Sequence, residues 1–159
     1  MNVFATSACP LASARALDDS RVIKMALESA QLLCTELGRR GYKVPYRPTH
    51  ANHPVTLWLR DDGALRWLFR HFVALCDEYA HRFGRTHKSY ERVHPVAARI
   101  LKRVPEARKP SFANCARRSD LDLDFTDVRP TTEAYRRYLR ARWELGDPRW
   151  TRRSPPRWL

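Results

Sequence analysis

Apolar residues recur at helical spacing in several stretches of the chain, which predicts a mostly helical fold. The clearest stretch runs from residue 19 to residue 37. Its apolar positions are Val22, Met25, Ala26, Leu33 and Leu37. The residues at 18–20, Asp-Asp-Ser, are N-cap candidates, and Gly38 is predicted to end this helix.

Further helices are predicted from the same spacing and from helix-end signals. A short helix opens at Pro10 and runs to Leu17, and a long one runs from Asp61 or Asp62 to Phe83, before Gly84. Another starts after Ser89, with Pro95 in its first turns, and is closed by Pro105; the last covers 131–145. Residues 105–130 lack the pattern and are predicted to be irregular. The expected fold class is therefore all-α.

The length of 159 residues and the apolar fraction of 43% suit one compact domain with its own core. The prolines of the tail at 145–159 prevent a continuous helix there. We expect this Trp-containing tail to be strapped onto the core, so that residues 1–159 form a single domain.

Charge points to a polyanionic partner. The chain has 30 Lys and Arg against 17 Asp and Glu, a net charge of +13. Residues 99–159 hold 16 Lys and Arg and 8 Asp and Glu, so they carry +8 of that charge. Basic residues interleaved with aromatic ones are typical of nucleic-acid binding, and DNA is the expected partner. No apolar run approaches the ~20 residues of a membrane-spanning helix.

The four cysteines Cys9, Cys34, Cys76 and Cys115 are widely spaced and form no CxxC pair. This spacing argues against a zinc site built from cysteines and fits a reducing cytoplasm better than a disulfide framework. Neither a metal nor another cofactor is predicted.

Lys24 and Glu28 lie four residues apart on the first long helix and therefore share a face. Arg21 and Gln31 lie one turn away on either side, and we expect them to contact the substrate or the DNA. A lysine beside a carboxylate suits base excision, because the amine attacks a sugar carbon and the carboxylate moves protons. Burial would favour the neutral, nucleophilic amine. The alternative is an exposed ion-paired stripe that contributes ~0.5 kcal/mol or less to stability.

The loop between the two long helices contains the segment Thr49-His50-Ala51-Asn52-His53-Pro54. Two histidines make an incomplete metal site, but either one can supply acid–base chemistry near neutral pH. We expect His53 to be catalytic, and Thr49, His50 and Asn52 to contact the substrate base. The alternative is a rigid loop whose histidines bond to the backbone.

DNA contacts are also expected from Trp58 and Arg60, and from Arg85, His87 and Lys88 just after a helix end. Core packing is an equal alternative for Trp58.

Several blocks of the sequence resemble a family of small proteins from bacterial viruses that are similar to phage pyrimidine-dimer DNA glycosylases. The blocks are Met-Asn-Val-Phe at 1–4, Asp-x-Arg-Val-x-Lys-Met-x-Leu-Glu-Ser-Ala-Gln-Leu-Leu at 19–33 and Tyr-x-Pro-Thr-His-x-Asn-His-Pro at 46–54. The resemblance implies a compact all-helical domain in the cytoplasm of an infected bacterium. It also implies attack at a damaged or modified pyrimidine nucleotide flipped out of duplex DNA.

Those glycosylases use the α-amine of an N-terminal threonine and a glutamate in a short helix near the N-terminus. Here residue 2 is Asn, before which methionine is usually kept, and Val22 aligns with that glutamate. We therefore expect Lys24 as nucleophile and Glu28 as acid–base group of a glycosylase, with strand-nicking lyase activity open. Two alternatives remain: a transferase that places an amino-acid-type group on 5-hydroxymethyluracil in DNA, and a non-catalytic viral DNA-binding protein.

Overall fold

The computed structural model describes residues 1–105, 107–108 and 110–159. In this part of the chain, six helices make up most of the regular structure. They are α1 (Pro10–Ala16), α2 (Asp19–Arg39), α3 (Pro54–Trp58), α4 (Asp62–Phe83), α5 (Lys88–Leu101) and α6 (Thr131–Glu144). A two-stranded antiparallel hairpin, β1 (Arg117–Arg118) and β2 (Leu123–Asp124), encloses a 3-10 turn at Ser119–Leu121. The all-α fold class is confirmed.

The core forms where α2 and α4 pack together, with α1 against α4 and α5 against α2. All five apolar positions predicted on the buried face of α2 are buried. On α4 the buried aromatic residues Trp67 and Phe72 lie among leucines that are fully buried. Helical periodicity thus identified the packing faces, because the same residues that repeat at 3.6 spacing meet in the core.

The structure differs from the prediction at the end of α2 and in the position of Pro95 within α5. The prediction that Gly38 ends α2 is wrong, because the helix runs to Arg39 and the left-handed backbone occurs at Gly41, with φ of 88°. Gly84, with φ of 66°, does cap α4 as expected. Helix α5 begins at Lys88, so Pro95 lies in its interior rather than in its first turns.

The segment at 105–130 was expected to be irregular, yet it contains the β1–β2 hairpin. A strand of two residues is too short to show an alternating apolar pattern, so the sequence carries no signal for it. Helix α3 was missed for the same reason, since its five residues make little more than one turn.

Residues of the tail contact the helices α1, α2, α4 and α6. The indole of Trp150 donates a hydrogen bond to the carbonyl of Ala16 at 3.2 Å. Trp158 stacks on Trp143 of α6 with ring centroids 5.5 Å apart, and its carbonyl accepts a hydrogen bond from Arg140. Among the described helices, none is long and apolar enough to cross a membrane.

An ionic cluster joins the tail to α2 and α4. Arg82, whose side chain is fully buried, donates hydrogen bonds to Glu78 and to Asp19, each at 2.9 Å. Arg153 of the tail donates two further bonds of 2.8 Å to the Glu78 carboxylate. Burial raises the pKa of Glu78, but the bonds from Arg153 and Arg82 outweigh it and hold the pKa below its usual value. We call these four residues the ionic cluster.

Candidate active site

An open cleft of about 390 Å³ lies where the N-terminal segment, α2, the β1–β2 hairpin and α6 meet. This volume falls within the ~300–1,000 Å³ of small-molecule sites. The lining residues are Met1, Asn2, Phe4, Ser20, Arg21, Lys24, Met25, Glu28, His53, Cys115, Arg117, Arg118, Tyr138 and Arg142. Of the residues expected from the sequence, the cleft therefore brings together Arg21, Lys24, Glu28 and His53.

Glu28 lies between two nitrogen atoms in this cleft. Its Oε2 accepts a hydrogen bond from the main-chain N–H of Asn2 at 3.2 Å, and its Oε1 lies 3.5 Å from Nζ of Lys24. The carboxylate side chain is 14% exposed. Glu28 is thus held in position, yet a ligand in the cleft can still reach it.

The side chain of Lys24 is far more exposed than expected for a nucleophilic lysine. Its side chain is 70% exposed. The burial that would favour a neutral amine is therefore absent from the free protein, and only a ligand that covers the cleft would supply it.

Arg21 is positioned by the core instead of projecting freely. Its guanidinium donates a 2.7 Å hydrogen bond to Asp18 and lies 5.9 Å from the ring centroid of Trp143, and the side chain is 15% exposed. One edge of it still lines the cleft. Gln31 is half-buried and is not among the lining residues.

His53 occupies the N-cap of α3, and its Nδ1 accepts a hydrogen bond from the N–H of Val55 at 3.2 Å. Burial, the N-terminal ammonium and His50 lower the pKa of His53, and Glu28 opposes them. The neutral form of the His53 ring is therefore favoured at pH 7. Because Nδ1 accepts, the proton of the neutral ring lies on Nε2, which suits a hydrogen-bond donor better than a base.

The rest of the 49–54 segment lies outside the cleft lining. His50 has a left-handed backbone, with φ of 52°, and its Nδ1 lies 2.6 Å from the hydroxyl of Thr49. The main chain of Thr49 is held by the Thr35 hydroxyl through bonds of 3.0 and 3.1 Å. Asn52 is exposed. Among the described residues, no group of three or more His, Cys, Asp or Glu side chains is arranged to hold a metal ion.

Trp58 is held by packing and by a hydrogen bond. Its indole N–H donates to the carbonyl of Ser111 at 2.6 Å, and its ring meets Trp67 edge-on with centroids 6.1 Å apart. Arg60 is exposed next to it, and its carbonyl accepts a hydrogen bond from Arg40. Neither residue lines the cleft.

Arg85, His87 and Lys88 line a second depression of about 600 Å³, which we call the basic groove. Its other lining residues are Leu27, Tyr46, Tyr79, Thr86, Ser89 and Arg92. His87 caps α5 by accepting the N–H of Ser89, and burial lowers its pKa. Arg85 and Lys88 are exposed. The structure thus separates these predicted DNA contacts from Glu28.

Sequence reasoning missed the cleft residues that come from distant parts of the chain. Asn2 is anchored by a 3.0 Å bond from its side-chain amide to the carbonyl of Cys115, which fixes its main chain beside Glu28. Phe4 stacks on Tyr138 with centroids 5.8 Å apart. The only sequence signal for Asn2 and Phe4 was the block at 1–4, and this block did not indicate that the segment lies next to Glu28 in the fold.

Three arginines that line the cleft were also missed. Arg117 lies 3.3 Å from Asp124 across the hairpin, and Arg118 is paired with Asp120 at 2.9 Å. Arg142 reaches the cleft from α6. The positive charge noted in residues 99–159 predicted that this part would face DNA, but not that it would border the candidate site.

A family model described as pyrimidine dimer DNA glycosylase matches residues 1–92, more than half of the chain. The matched region includes Asn2, Lys24, Glu28 and His53, whereas the hairpin and α6 lie beyond it. Comparison with curated proteins and with solved structures gives no match. The chain therefore belongs to the pyrimidine dimer DNA glycosylase family.

Proposed function

We propose that this chain is a DNA glycosylase that acts on a damaged or modified, thymine-derived nucleotide in duplex DNA. The observation that carries the proposal is the position of Glu28, which is bonded to one nitrogen and close to a second within an open, basic cleft. A pyrimidine nucleotide is too deep in the stack to be reached without flipping, so the cleft takes it as an extrahelical group.

In this proposal Lys24 attacks C1′ of the flipped nucleotide while the glycosidic bond to the base breaks. Glu28 takes up the proton that the amine loses and stabilises positive charge on the sugar. The departing base takes the proton that Glu28 received from the amine. The C1′–O4′ bond then breaks, O4′ takes the second proton of the amine, and the nitrogen remains joined to C1′ as an imine, from which elimination of the 3′-phosphate nicks the strand. DNA that covers the cleft also buries the exposed Lys24 amine and so favours its neutral form.

The remaining cleft residues hold the nucleotide. Arg117, Arg118 and Arg142 offer charge to the phosphates on both sides of the flipped sugar. His53, neutral with its proton on Nε2, donates a hydrogen bond to a carbonyl of the base. In this proposal the segment with Thr49, His50 and Asn52 borders the base beyond His53, and Arg21 supports the wall formed by α2. Gln31, one turn beyond Glu28 and outside the cleft lining, contacts the DNA that flanks the flipped nucleotide.

Borohydride trapping tests this proposal. Duplexes containing an abasic site or a modified pyrimidine are incubated with the protein and borohydride, and the adduct is located by mass spectrometry. We expect a covalent adduct on Lys24 that is lost in Lys24→Ala and strongly reduced in Glu28→Gln. Lys102→Ala, which removes an exposed lysine outside the cleft, serves as the control. An adduct on the α-amine of the chain would refute Lys24 as nucleophile, and base release without any adduct would refute the lyase step.

A transferase is the second candidate, because Lys24 is 70% exposed beside a group of arginines. Displacement at an activated 5-hydroxymethyluracil needs no lysine nucleophile, and the arginines suit an anionic leaving group. Base analysis of such DNA after incubation with amino acids tests this activity. If neither assay responds while DNA binding falls steeply with salt, the chain is a non-catalytic binding protein.

A further inference from the structure

Helix α2 presents two large apolar side chains to solvent beside the cleft. Ile23 and Leu27 are 45% and 42% exposed, although the helix is otherwise apolar only towards the core. They lie one turn apart on one face and span about 6 Å along the helix axis. We call this pair the apolar ridge.

The apolar ridge lies between two basic depressions. Each of its residues directly precedes a cleft residue, Lys24 after Ile23 and Glu28 after Leu27. On its other side, Leu27 forms a wall of the basic groove that contains Arg85 and Lys88. The ridge is therefore the surface that separates the candidate site from the second set of cationic side chains.

We propose that Ile23 and Leu27 form a wedge that enters the base stack of duplex DNA at the position from which the target nucleotide is flipped into the cleft. This inference rests on the proposed function, because it requires an extrahelical nucleotide. Apolar side chains inserted between base steps offset the loss of stacking and kink the duplex. Here the wedge is built on a helix that also carries Lys24 and Glu28, so insertion and positioning of the nucleotide are coupled.

Charge favours DNA over a second copy of this chain as the occupant of the ridge. The cleft side carries Arg117, Arg118 and Arg142, and the groove side carries Arg85, Lys88 and Arg92. Two copies meeting at their ridges would bring these cationic surfaces together, which costs free energy. The two strands of a duplex instead place phosphates on both sides of an inserted wedge.

The test uses a duplex with a tetrahydrofuran abasic analogue next to 2-aminopurine, whose fluorescence rises when it unstacks. We expect the wild-type chain to raise the fluorescence and Ile23→Ala/Leu27→Ala to lose most of the rise. Leu11→Ala is the matched control, because Leu11 is 42% exposed on α1 and lines neither depression. No charge is removed, so binding to unmodified duplex should keep its affinity and salt dependence.

Activity gives the second readout. The double variant should release base from duplex DNA about tenfold or more slowly, because the cost of unstacking is no longer offset. Its rate on single-stranded DNA should be unchanged, since no stack has to be opened there. Alanine is a better helix former than isoleucine, so α2 should remain intact, and the single variants Ile23→Ala and Leu27→Ala provide a graded series.

An unchanged fluorescence rise in the double variant would overturn the wedge, whatever the activity. A wild-type chain that sediments as a dimer and a double variant that sediments as a monomer would also overturn it, since the ridge would then be a protein interface. A fluorescence rise that depends on the ridge, without base release from any substrate by the wild-type chain, would refute the proposed function and leave the wedge standing.

Discussion

Replacing Glu78 by glutamine tests whether burial decides the strength of an ion pair in this fold. Two of the Glu–Arg pairs with a spacing of four residues have nearly the same geometry but differ in burial. Arg82 Nε lies 2.9 Å from Glu78 Oε1, and Arg137 Nε lies 3.0 Å from Glu133 Oε1. The side chains of the first pair are 3% and 0% exposed, whereas those of the second are 34% and 53% exposed.

The expected magnitudes follow from these exposures. Removing one partner of a buried pair costs about 3–5 kcal/mol, because the other charge is left without compensation. Arg82 keeps Asp19 as a partner, so the lower end, about 3 kcal/mol, applies to Glu78→Gln. An exposed pair contributes about 0.5 kcal/mol or less, which is the loss expected for Glu133→Gln.

Thermal unfolding measures both variants under the same conditions. For a chain of this length, each kcal/mol of lost stability lowers the unfolding midpoint by about 2–4 °C. Glu78→Gln should therefore unfold about 6–12 °C lower than the wild type. Glu133→Gln should unfold within about 2 °C of it. Equal shifts for the two variants would refute the claim that burial sets the strength of the ion pair. The shared geometry and spacing would then account for the contribution of each pair to stability.

The remaining predictions concern pH, the hairpin and a helix end. The pKa of Glu78 is lower in the folded protein than its value of about 4.5 in the unfolded chain. The ionised carboxylate therefore stabilises the fold above pH 4.5, and this stabilisation is lost as the pH falls through the folded pKa. Unfolding measured from pH 7 to pH 3 should show this loss, and Glu78→Gln should reduce it. Asp120→Asn frees Arg118 at the cleft and should tighten DNA binding about two- to tenfold at low salt in anisotropy titrations, more than the equal charge change of Asp147→Asn at an exposed pair elsewhere. Equal gains for these two variants would contradict a specific role of Arg118. Gly84→Ala should destabilise the chain by about 1 kcal/mol in denaturant unfolding, because φ is 66° there, and an unchanged midpoint would contradict that strain.

The sequence predicted the parts of the fold that depend on local repetition. Helices α2 and α4 were found because an apolar repeat such as Val22, Met25 and Ala26 is both the signal and the buried face. The end of α2 was placed too early, because a glycine inside a helix costs only ~1 kcal/mol and does not by itself stop it. Gly41, where the left-handed backbone occurs, was no stronger a signal than Gly38.

The candidate site was predictable only in the part that lies within one helix. Lys24 and Glu28 were paired correctly because a spacing of four residues fixes their proximity. Asn2 reaches Glu28 across 26 residues of sequence and is tied to Cys115 across 113. Such contacts depend on how helices and loops dock in three dimensions, and no local pattern records them.

The ionic cluster also constrains the order in which the protein can complete its structure during synthesis. Glu78 and Arg153 are separated by 75 residues, so a growing chain holds Asp19, Glu78 and Arg82 well before the tail that completes the cluster has been made. Because pairings that are distant in sequence form late, α2 and α4 first meet around carboxylates that still lack one cation. Nascent chains should therefore resist proteolysis less than the finished protein until residues 149–153 have left the ribosome.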